Sequence, residues 1–202
     1  MDWHARNIKV YNDSAVELSE RLSGIGSRTK DIERALKLAN KTKKANIVEI
    51  GCGDGRDAIE IVKYAEQYEG FDPSSGLLDI AKIRVPGASF VVADTYTYKY
   101  PDNLDVVFAF ASLLHINKDA LSDVFNQIHK SLRSGGILYI TLKERNLYGE
   151  ETKTDEYGVR MFYYYSLPII KELAGKGFTT VYEGRFIKGK TNWFAIALKK
   201  TP

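Results

Sequence analysis

A short apolar run followed by alternating glycines, at residues 46–57, limits the folds open to this chain more than any other feature. The sequence reads NIVEIGCGDGRD, and its first half has the apolar and β-branched density typical of a strand covered on both faces. Apolar residues at helical spacing follow over residues 58–68, which predicts a helix. Strand, loop and helix are the first half of a βαβ unit, where nucleotide-like ligands bind at a strand end. The loop glycines let the backbone turn sharply and approach a ligand closely: they are Gly51, Gly53 and Gly55.

The spacing of these glycines indicates which ligand binds. A dinucleotide-binding loop reads G-x-G-x-x-G, whereas Arg56 stands at the sixth position here, which disfavours NAD. Glu49 adds a carboxylate inside the apolar strand, and we expect it to face the loop amides or a positively charged ligand, because an isolated buried carboxylate is costly. Asp54 and Asp57 stand where carboxylates stabilise a helix N-terminus. A tight turn in another α/β protein is the alternative explanation of the glycines.

Two further predicted strands each end in an acid. Residues 68–72 (YEGFD) end in Asp72, which lies 21 positions after Gly51, about the separation at which a βαβ unit places a carboxylate against ribose hydroxyls. Residues 89–93 (SFVVA) are followed by Asp94, which can accept a hydrogen bond from the exocyclic amine of a nucleobase. The alternatives are that Asp72 caps the next helix and that Asp94 begins a turn.

Composition narrows the class of protein. The chain has 202 residues, 44% of them hydrophobic and 27% charged, and a net charge of +3, which fits one ordinary soluble domain. The single cysteine, Cys52, cannot form an internal disulfide, and no metal site is expected. No run of 18 apolar residues occurs, so we expect a cytoplasmic protein with no membrane partner. Without a long basic stripe, nucleic-acid binding is the weaker interpretation.

The rest of the chain completes an alternating pattern. Two helices are predicted before the first strand, a fourth strand at residues 104–110, a helix capped by Asn117, and a fifth strand at 137–142. Residues 143–165 interrupt the alternation, as an insertion that builds a lid or a pocket would. A last helix and two strands, suited to an antiparallel pair at the sheet edge, follow.

Several segments occur in an order similar to that of class I S-adenosylmethionine-dependent methyltransferases of the small-molecule branch. The loop has the pattern E-x-G-x-G-x-G at 49–55, and the segments in order are GCGDGRD, GFDPS, VVADT, ASLLHI and LRSGGILYI. The resemblance implies an α/β, Rossmann-like three-layer sandwich with a seven-stranded, mostly parallel sheet of order 3-2-1-4-5-7-6 and an antiparallel last strand. The implied single domain, 1–202, divides into N-terminal helices (1–44), cofactor-binding core (45–142), acceptor-side insertion (143–165) and helix with hairpin (166–202).

The resemblance also implies a cofactor, S-adenosyl-L-methionine, with S-adenosyl-L-homocysteine as product. The loop would hold the methionine part, Asp72 the ribose, Asp94 with the Thr95 amide the adenine, and Ala111 with Ser112 the methionyl end. Tyr11 lies in a segment similar to those that cover the cofactor in some relatives. The implied cofactor-binding set is Tyr11, Glu49, Gly51, Cys52, Gly53, Gly55, Asp72, Pro73, Ser74, Asp94, Thr95, Ala111 and Ser112.

The acceptor is expected to be a small, polar or anionic metabolite. The segment Ala109-Phe-Ala-Ser112 lacks the Asn/Asp-Pro-Pro-aromatic motif of DNA amino-methyltransferases, and no Pro-Cys pair for cytosine chemistry is present. His115, just past the fourth strand, is the candidate general base, and a structural histidine is the alternative. Lys143 and Arg160 are candidates to hold an anion, and Tyr163 to line the pocket, with solvated charges and sheet packing as the alternatives.

Two other functions share this pattern. A protein that binds the cofactor without catalysis would need the same crevice, and an NAD-dependent Rossmann enzyme is a more distant alternative. The protein is expected to be a monomer or a homodimer.

Overall fold

The computed structural model describes residues 2–201, so the terminal residues included in the predicted domain bounds lie outside it. Seven strands form one sheet of order β3-β2-β1-β4-β5-β9-β8. The first five are parallel, β9 runs antiparallel to them, and β8, which is antiparallel to β9, runs in the same direction as the first five. The strands of this sheet are β1 (Ala45–Ile50), β2 (Ala65–Asp72), β3 (Ser89–Val92), β4 (Leu104–Phe110), β5 (Leu132–Lys143), β8 (Phe178–Lys188) and β9 (Thr191–Lys200).

The predicted class and strand order are thus confirmed, with β8 and β9 in the places predicted for strands six and seven. The numbering differs because the insertion contains a separate antiparallel hairpin, β6 (Gly149–Asp155) and β7 (Gly158–Tyr164). Its presence was not predicted, because the charged β6 carries too few apolar residues to indicate a strand.

The sheet is covered on both faces by helices. Every residue of β4 is buried, as expected for a central strand of a parallel sheet. Along β1, Ile47 packs into the core beneath α3 (Thr29–Leu38), whereas Val48 and Ile50 pack into the core beneath α6 (Lys118–Ser131) and α7 (Leu167–Ala174), which follows from the alternation of side chains in a strand. The helices are α1 (Trp3–Asp13), α2 (Ala15–Ser23), α3 (Thr29–Leu38), α4 (Ala58–Ile61), α5 (Ser75–Arg84), α6 (Lys118–Ser131) and α7 (Leu167–Ala174).

The helix predicted after the glycine loop is mostly wrong. Helix α4 spans only Ala58–Ile61, and β2 begins at Ala65, so Tyr68 belongs to a strand and not to a helix face. The Asp57 side chain does not cap this helix, because its carboxylate accepts from Arg28 instead. A helical spacing of apolar residues was matched by chance across a short helix, a turn and a strand.

The N-terminal segment is also more regular than its sequence indicates. The sequence of residues 1–12 has no clear periodicity, yet Trp3–Asp13 form α1, which begins where the Asp2 side chain accepts from the Ala5 amide. The apolar pattern is weak because α1 packs on loops and on β7 through polar side chains. The Asn7 side chain donates to the Met161 carbonyl and accepts from the Met161 amide, and the side-chain oxygen of Asn12 accepts from the Gly76 amide.

Side-chain caps set two further helix boundaries, of which the Asn117 cap was predicted and the Ser74 cap was not. The Asn117 side chain accepts from the Ala120 amide and begins α6. Ser74 accepts from Leu77 and begins α5 just after Asp72. These caps fix where the chain leaves β2 and β4, and therefore where their carboxyl ends present side chains. No helix among residues 2–201 is both long and apolar enough to cross a bilayer.

Candidate active site

One cavity, of about 560 Å³, lies at the carboxyl ends of β1, β2 and β4 beneath α1 and α2. The carboxyl ends of parallel strands are where this architecture places ligands. Most residues singled out from the sequence line it: Tyr11, Glu49, Gly51, Cys52, Gly53, Asp72, Pro73, Asp94, Thr95, Ala111, Ser112, His115, Lys143 and Arg160.

Three predicted residues do not line the cavity. Gly55 faces away, and a Cβ there would meet the backbone of Ala81 at 3.1 Å, so its role is close packing of the loop on α5. Ser74 is fully buried as the cap of α5. The Tyr163 ring stacks on Tyr148, with the ring centres 6.4 Å apart.

The glycine loop has the conformation that its sequence indicates. Gly51 adopts φ 65°, and a Cβ at this position would lie 2.4 Å from the Cβ of Ser112, so only glycine fits. Gly53 adopts φ 56° with open space where its Cβ would project. The buried Ser112 Oγ has no hydrogen-bond partner. The loop therefore leaves room and an unused polar atom for a ligand.

Asp72 lies at the end of β2 with its carboxylate in the cavity. Its two oxygens accept from the Gly53 amide at 3.0 Å and the Ser74 amide at 2.9 Å. Burial raises the pKa of Asp72 to about 6, although both amides oppose the rise. Each oxygen keeps a lone pair for a further donor, as a ribose diol would supply.

Asp94, after β3, is tied to its own turn and to α1. One oxygen accepts from the amides of Tyr96 and Thr97, each at 2.9 Å, so the alternative reading as a turn acid is also realised. The other oxygen lies 3.1 Å from His4 Nε2. The hydrogen bonds from His4 and Thr97 hold the pKa of Asp94 below its usual range despite partial burial. His4 was missed because no motif surrounds it.

Glu49 lies in a cluster of charges at the other end of the glycine loop. It accepts from the Tyr68 hydroxyl at 2.7 Å, and burial, reinforced by the Asp57 carboxylate, raises its pKa above the ordinary range. Asp57 pairs with Arg28 and, at 3.0 Å, with Arg56. The buried Arg56 Nε has no partner. The two arginines line the cavity and were not predicted, because they become neighbours only when α3 packs against the loop.

His115 is held by hydrogen bonds on both ring nitrogens. Nδ1 lies 2.8 Å from the Met161 carbonyl and 3.1 Å from the side-chain amide nitrogen of Asn7. Because the shorter contact is to a carbonyl, which can only accept, we assign the proton to Nδ1, and Nε2 then accepts from the Tyr11 hydroxyl at 2.9 Å. Burial lowers the pKa of His115 to about 4. Tyr11 is in turn beside Arg160, whose guanidinium lies 5.2 Å from the tyrosine ring centre. Because Nε2 is engaged, the role of His115 as a base stays a prediction.

Cations gather at the end of the cavity formed by β5 and the β6–β7 hairpin. Lys143 Nζ lies 3.8 Å from the ring centre of Phe162, and burial lowers the pKa of Lys143 to about 8. Arg160 pairs with Asp155, and its buried Nε has no partner. Lys153 also lines the cavity and was not predicted, because the hairpin itself was not.

Comparison with known proteins places these residues in context. Residues 47–136 match the protein family described as a methyltransferase domain. A trans-aconitate 2-methyltransferase of Rhizobium rhizogenes is 29% identical over 122 residues, which are 58% of this chain and 46% of that protein. A phosphoethanolamine N-methyltransferase of Caenorhabditis elegans is 25% identical over 186 residues, 85% of this chain and 42% of that one. The chain thus matches less than half the length of these curated relatives.

Solved structures give the same architecture at lower identity. A 1,6-didemethyltoxoflavin-N1-methyltransferase of Burkholderia thailandensis, crystallised with S-adenosylhomocysteine, superposes with TM-score 0.71 at 17% identity, covering 96% of this chain and 88% of that one. A methyltransferase of Leishmania major superposes with TM-score 0.74 at 16% identity, covering 98% and 83%. At this identity the likeness establishes the fold.

Proposed function

We propose that the protein transfers a methyl group from S-adenosylmethionine to a small polar or anionic metabolite. The proposal proceeds from the class I methyltransferase fold and from the match of residues 47–136 to a methyltransferase domain, whose relatives use S-adenosylmethionine as cofactor. One observation carries the proposal: the glycine loop and the strand-end acids share a single cavity with the Lys143 and Arg160 cations.

The residues present fit the cofactor. Gly53 leaves open space at the loop, Ser112 Oγ is buried without a partner, and Asp72 retains free lone pairs. In the proposal Asp72 accepts from the ribose hydroxyls and Asp94, with the Thr95 amide, binds the adenine. The loop and Glu49 hold the methionyl end. When bound, S-adenosylmethionine supplies an electrophilic methyl group on a sulfonium and leaves as a neutral thioether.

Catalysis in this proposal comes from alignment and from exclusion of water. No proton need be given to a neutral leaving group, so the chain has to orient the acceptor and keep the cavity dry, which together supply several kcal/mol of a barrier. Tyr11 and His4 of helix α1 cover the cavity, and Phe162 and Trp193 line the end that β5 and the β6–β7 hairpin form. His115 in its neutral form orients the Tyr11 hydroxyl.

Two measurements test the proposal. Calorimetry with S-adenosylhomocysteine and, as a control, NAD should give binding of the first and none of the second. Incubation with S-adenosylmethionine and a metabolite panel should then release S-adenosylhomocysteine with at least one acceptor. The panel includes trans-aconitate and phosphoethanolamine, which the names of the relatives contain and which both carry anionic groups. Absence of S-adenosylhomocysteine binding would contradict the proposal. Binding without turnover would favour a protein that binds the cofactor without catalysis.

A further inference from the structure

The β6–β7 hairpin places the three charged residues that line the cavity on one face. Glu151, paired with Arg145, also shares this face, whereas Glu150 lies on the other face. Lys153 and Arg160 are paired directly across the two strands, so their side chains lie on the same side of the hairpin. Asp155 and Phe162 are two residues further along their strands and share that face. All four line the cavity. The alternation of side chains in a hairpin thus turns a charged sequence segment into one wall of the site.

Positive charge at this wall exceeds negative charge. Lys143 reaches the same end of the cavity from β5, and its pKa is lowered by burial and by the nearby Lys153 and Arg160. The one carboxylate lining this end, Asp155, is paired with Arg160. Within residues 2–201 no ion pair is formed by Lys143 or Lys153. Lys153 and Arg160 are like charges directly opposite in the hairpin, and both act on Lys143, so these cations destabilise one another until an anion binds.

A buried donor points to the same kind of ligand. Arg160 is only 7% exposed, and its Nε has no hydrogen-bond partner although its guanidinium pairs with Asp155. Buried polar atoms are normally satisfied, and an orphaned guanidinium N–H is satisfied best by an anionic oxygen. The rings of Phe162 and Trp193, 3.8 and 5.9 Å from Lys143 Nζ, limit the space to a small molecule.

We propose that the methyl acceptor is a small dianion whose two negative charges are held by Lys143, Lys153 and the free Nε of Arg160. The inference rests on the proposed function, and it adds the charge of the acceptor and Lys153 as a residue that determines specificity. Three cations against one carboxylate leave two positive charges to neutralise. A dicarboxylate and a phosphate monoester share the required chemistry.

Direct binding tests the charge requirement. Calorimetry is carried out with the protein saturated by S-adenosylhomocysteine, using succinate, fumarate and glycerol phosphate as dianions, butyrate as a monoanion and succinamide as a neutral analogue. At least one dianion should bind about ten times more tightly than butyrate, and succinamide should not bind. Whichever class binds more tightly, dicarboxylates or the phosphate ester, identifies the anionic group that the site recognises. If every dianion binds no better than butyrate, the inference is overturned.

Variants then test whether the dianion binds to the cations of β5 and of the β6–β7 hairpin. Lys143→Gln and Lys153→Gln should each weaken dianion binding about tenfold and reduce its dependence on salt. Lys99→Gln is the matched control, because Lys99 is exposed and lies outside the cavity. S-adenosylhomocysteine binding by each variant shows that it is folded. Equal dianion affinity in Lys153→Gln and the wild type, or an equal loss in Lys99→Gln, overturns the inference.

The two proposals fail in different ways. Wild-type protein that binds S-adenosylhomocysteine but no dianion contradicts only the anion site. Wild-type protein that does not bind S-adenosylhomocysteine contradicts the proposed function. In that case the dianion titrations are repeated without S-adenosylhomocysteine, and a dianion must again bind about ten times more tightly than butyrate.

Discussion

The two ends of the cavity differ in charge and in how they are built. At one end, Asp72 and Asp94 follow β2 and β3, so their positions are set by strands that pair in a regular sheet. At the other end, Lys153 and Arg160 stand on a separate hairpin, which contacts the rest of the protein through α1 and the loop after β4. Sheet geometry thus fixes the acidic end, whereas side-chain packing fixes the basic end.

The largest effect is expected at the acidic end. Asp72→Asn should weaken S-adenosylhomocysteine binding about 10- to 100-fold, since a hydrogen bond to a charged group contributes about 1.5–3 kcal/mol. Calorimetry measures it, and Asp79→Asn is the control because Asp79 is an exposed residue on α5. Lys143→Gln should leave this affinity unchanged. An equal loss in Lys143→Gln would mean that the two ends do not bind separate ligands.

The pH dependence of stability separates the hairpin from the sheet. The folded-state pKa of His115 is about 4, below its unfolded value, so the unfolded chain binds more protons between about pH 6.5 and 4. The contribution of His115 to stability should therefore fall as the pH falls through this window, by about 1–3 kcal/mol at pH 4, whereas Asp72, whose pKa is raised to about 6, contributes with the opposite sign, so the comparison with a His115 variant isolates the histidine. Urea unfolding at several pH values measures the fall, and His115→Gln should reduce it. If the free energy of unfolding of His115→Gln depended on pH as that of the wild type does, His115 would not be the group that causes the dependence.

The lowered pKa of Lys143 predicts a smaller effect of the same sign at higher pH. The pKa of Lys143 is lowered to about 8, so the unfolded chain binds more protons than the folded chain between about pH 8 and 10.5, and stability should rise with pH there. Lys143→Met should stabilise the protein at pH 7 by roughly 0.5 kcal/mol, after allowance for partial exposure. Thermal unfolding measures this, with Lys99→Met as control. A clear destabilisation would mean that Lys143 has a partner in the folded protein.

The smallest effect concerns Tyr163, which was predicted to line the pocket. Because its ring stacks on Tyr148 outside the cavity, Tyr163→Phe should leave dianion binding within about twofold of the wild type. Tyr11→Phe is the contrasting variant, since it removes the hydrogen bond to His115 at the cavity and should cost about 1 kcal/mol of stability. Weaker dianion binding by Tyr163→Phe would show that the Tyr163 hydroxyl contacts the ligand after all.

The sequence predicts the acidic end well because its signals are local. Gly51 and Gly53 need conformations that few residues adopt, and Asp72 and Asp94 occupy positions fixed by strand ends. The order of the sheet strands was implied by the resemblance to class I methyltransferases, and the structure has it. By contrast, Arg28, His4 and Lys153 reach the cavity through long-range packing, which leaves no periodic pattern in the sequence.

The same distinction explains the errors in secondary structure. Helix α1 was not predicted because its inward side chains, such as Asn7, are polar and bond to backbone groups far away in the chain. Helix α4 was extended too far because spacing alone does not distinguish a helix from a turn followed by a strand. In both segments tertiary contacts decide the outcome.

Helix α1 joins the two ends. Its residues bond to Asp94 after β3, to Gly76 after β2, to His115 after β4 and to Met161 on β7. Displacement of this one helix would break all four attachments together, so the adenosyl compound and the dianion would share a single gate. Neither ligand would then leave without loosening the other, and exchange of substrates for products would be an all-or-none event.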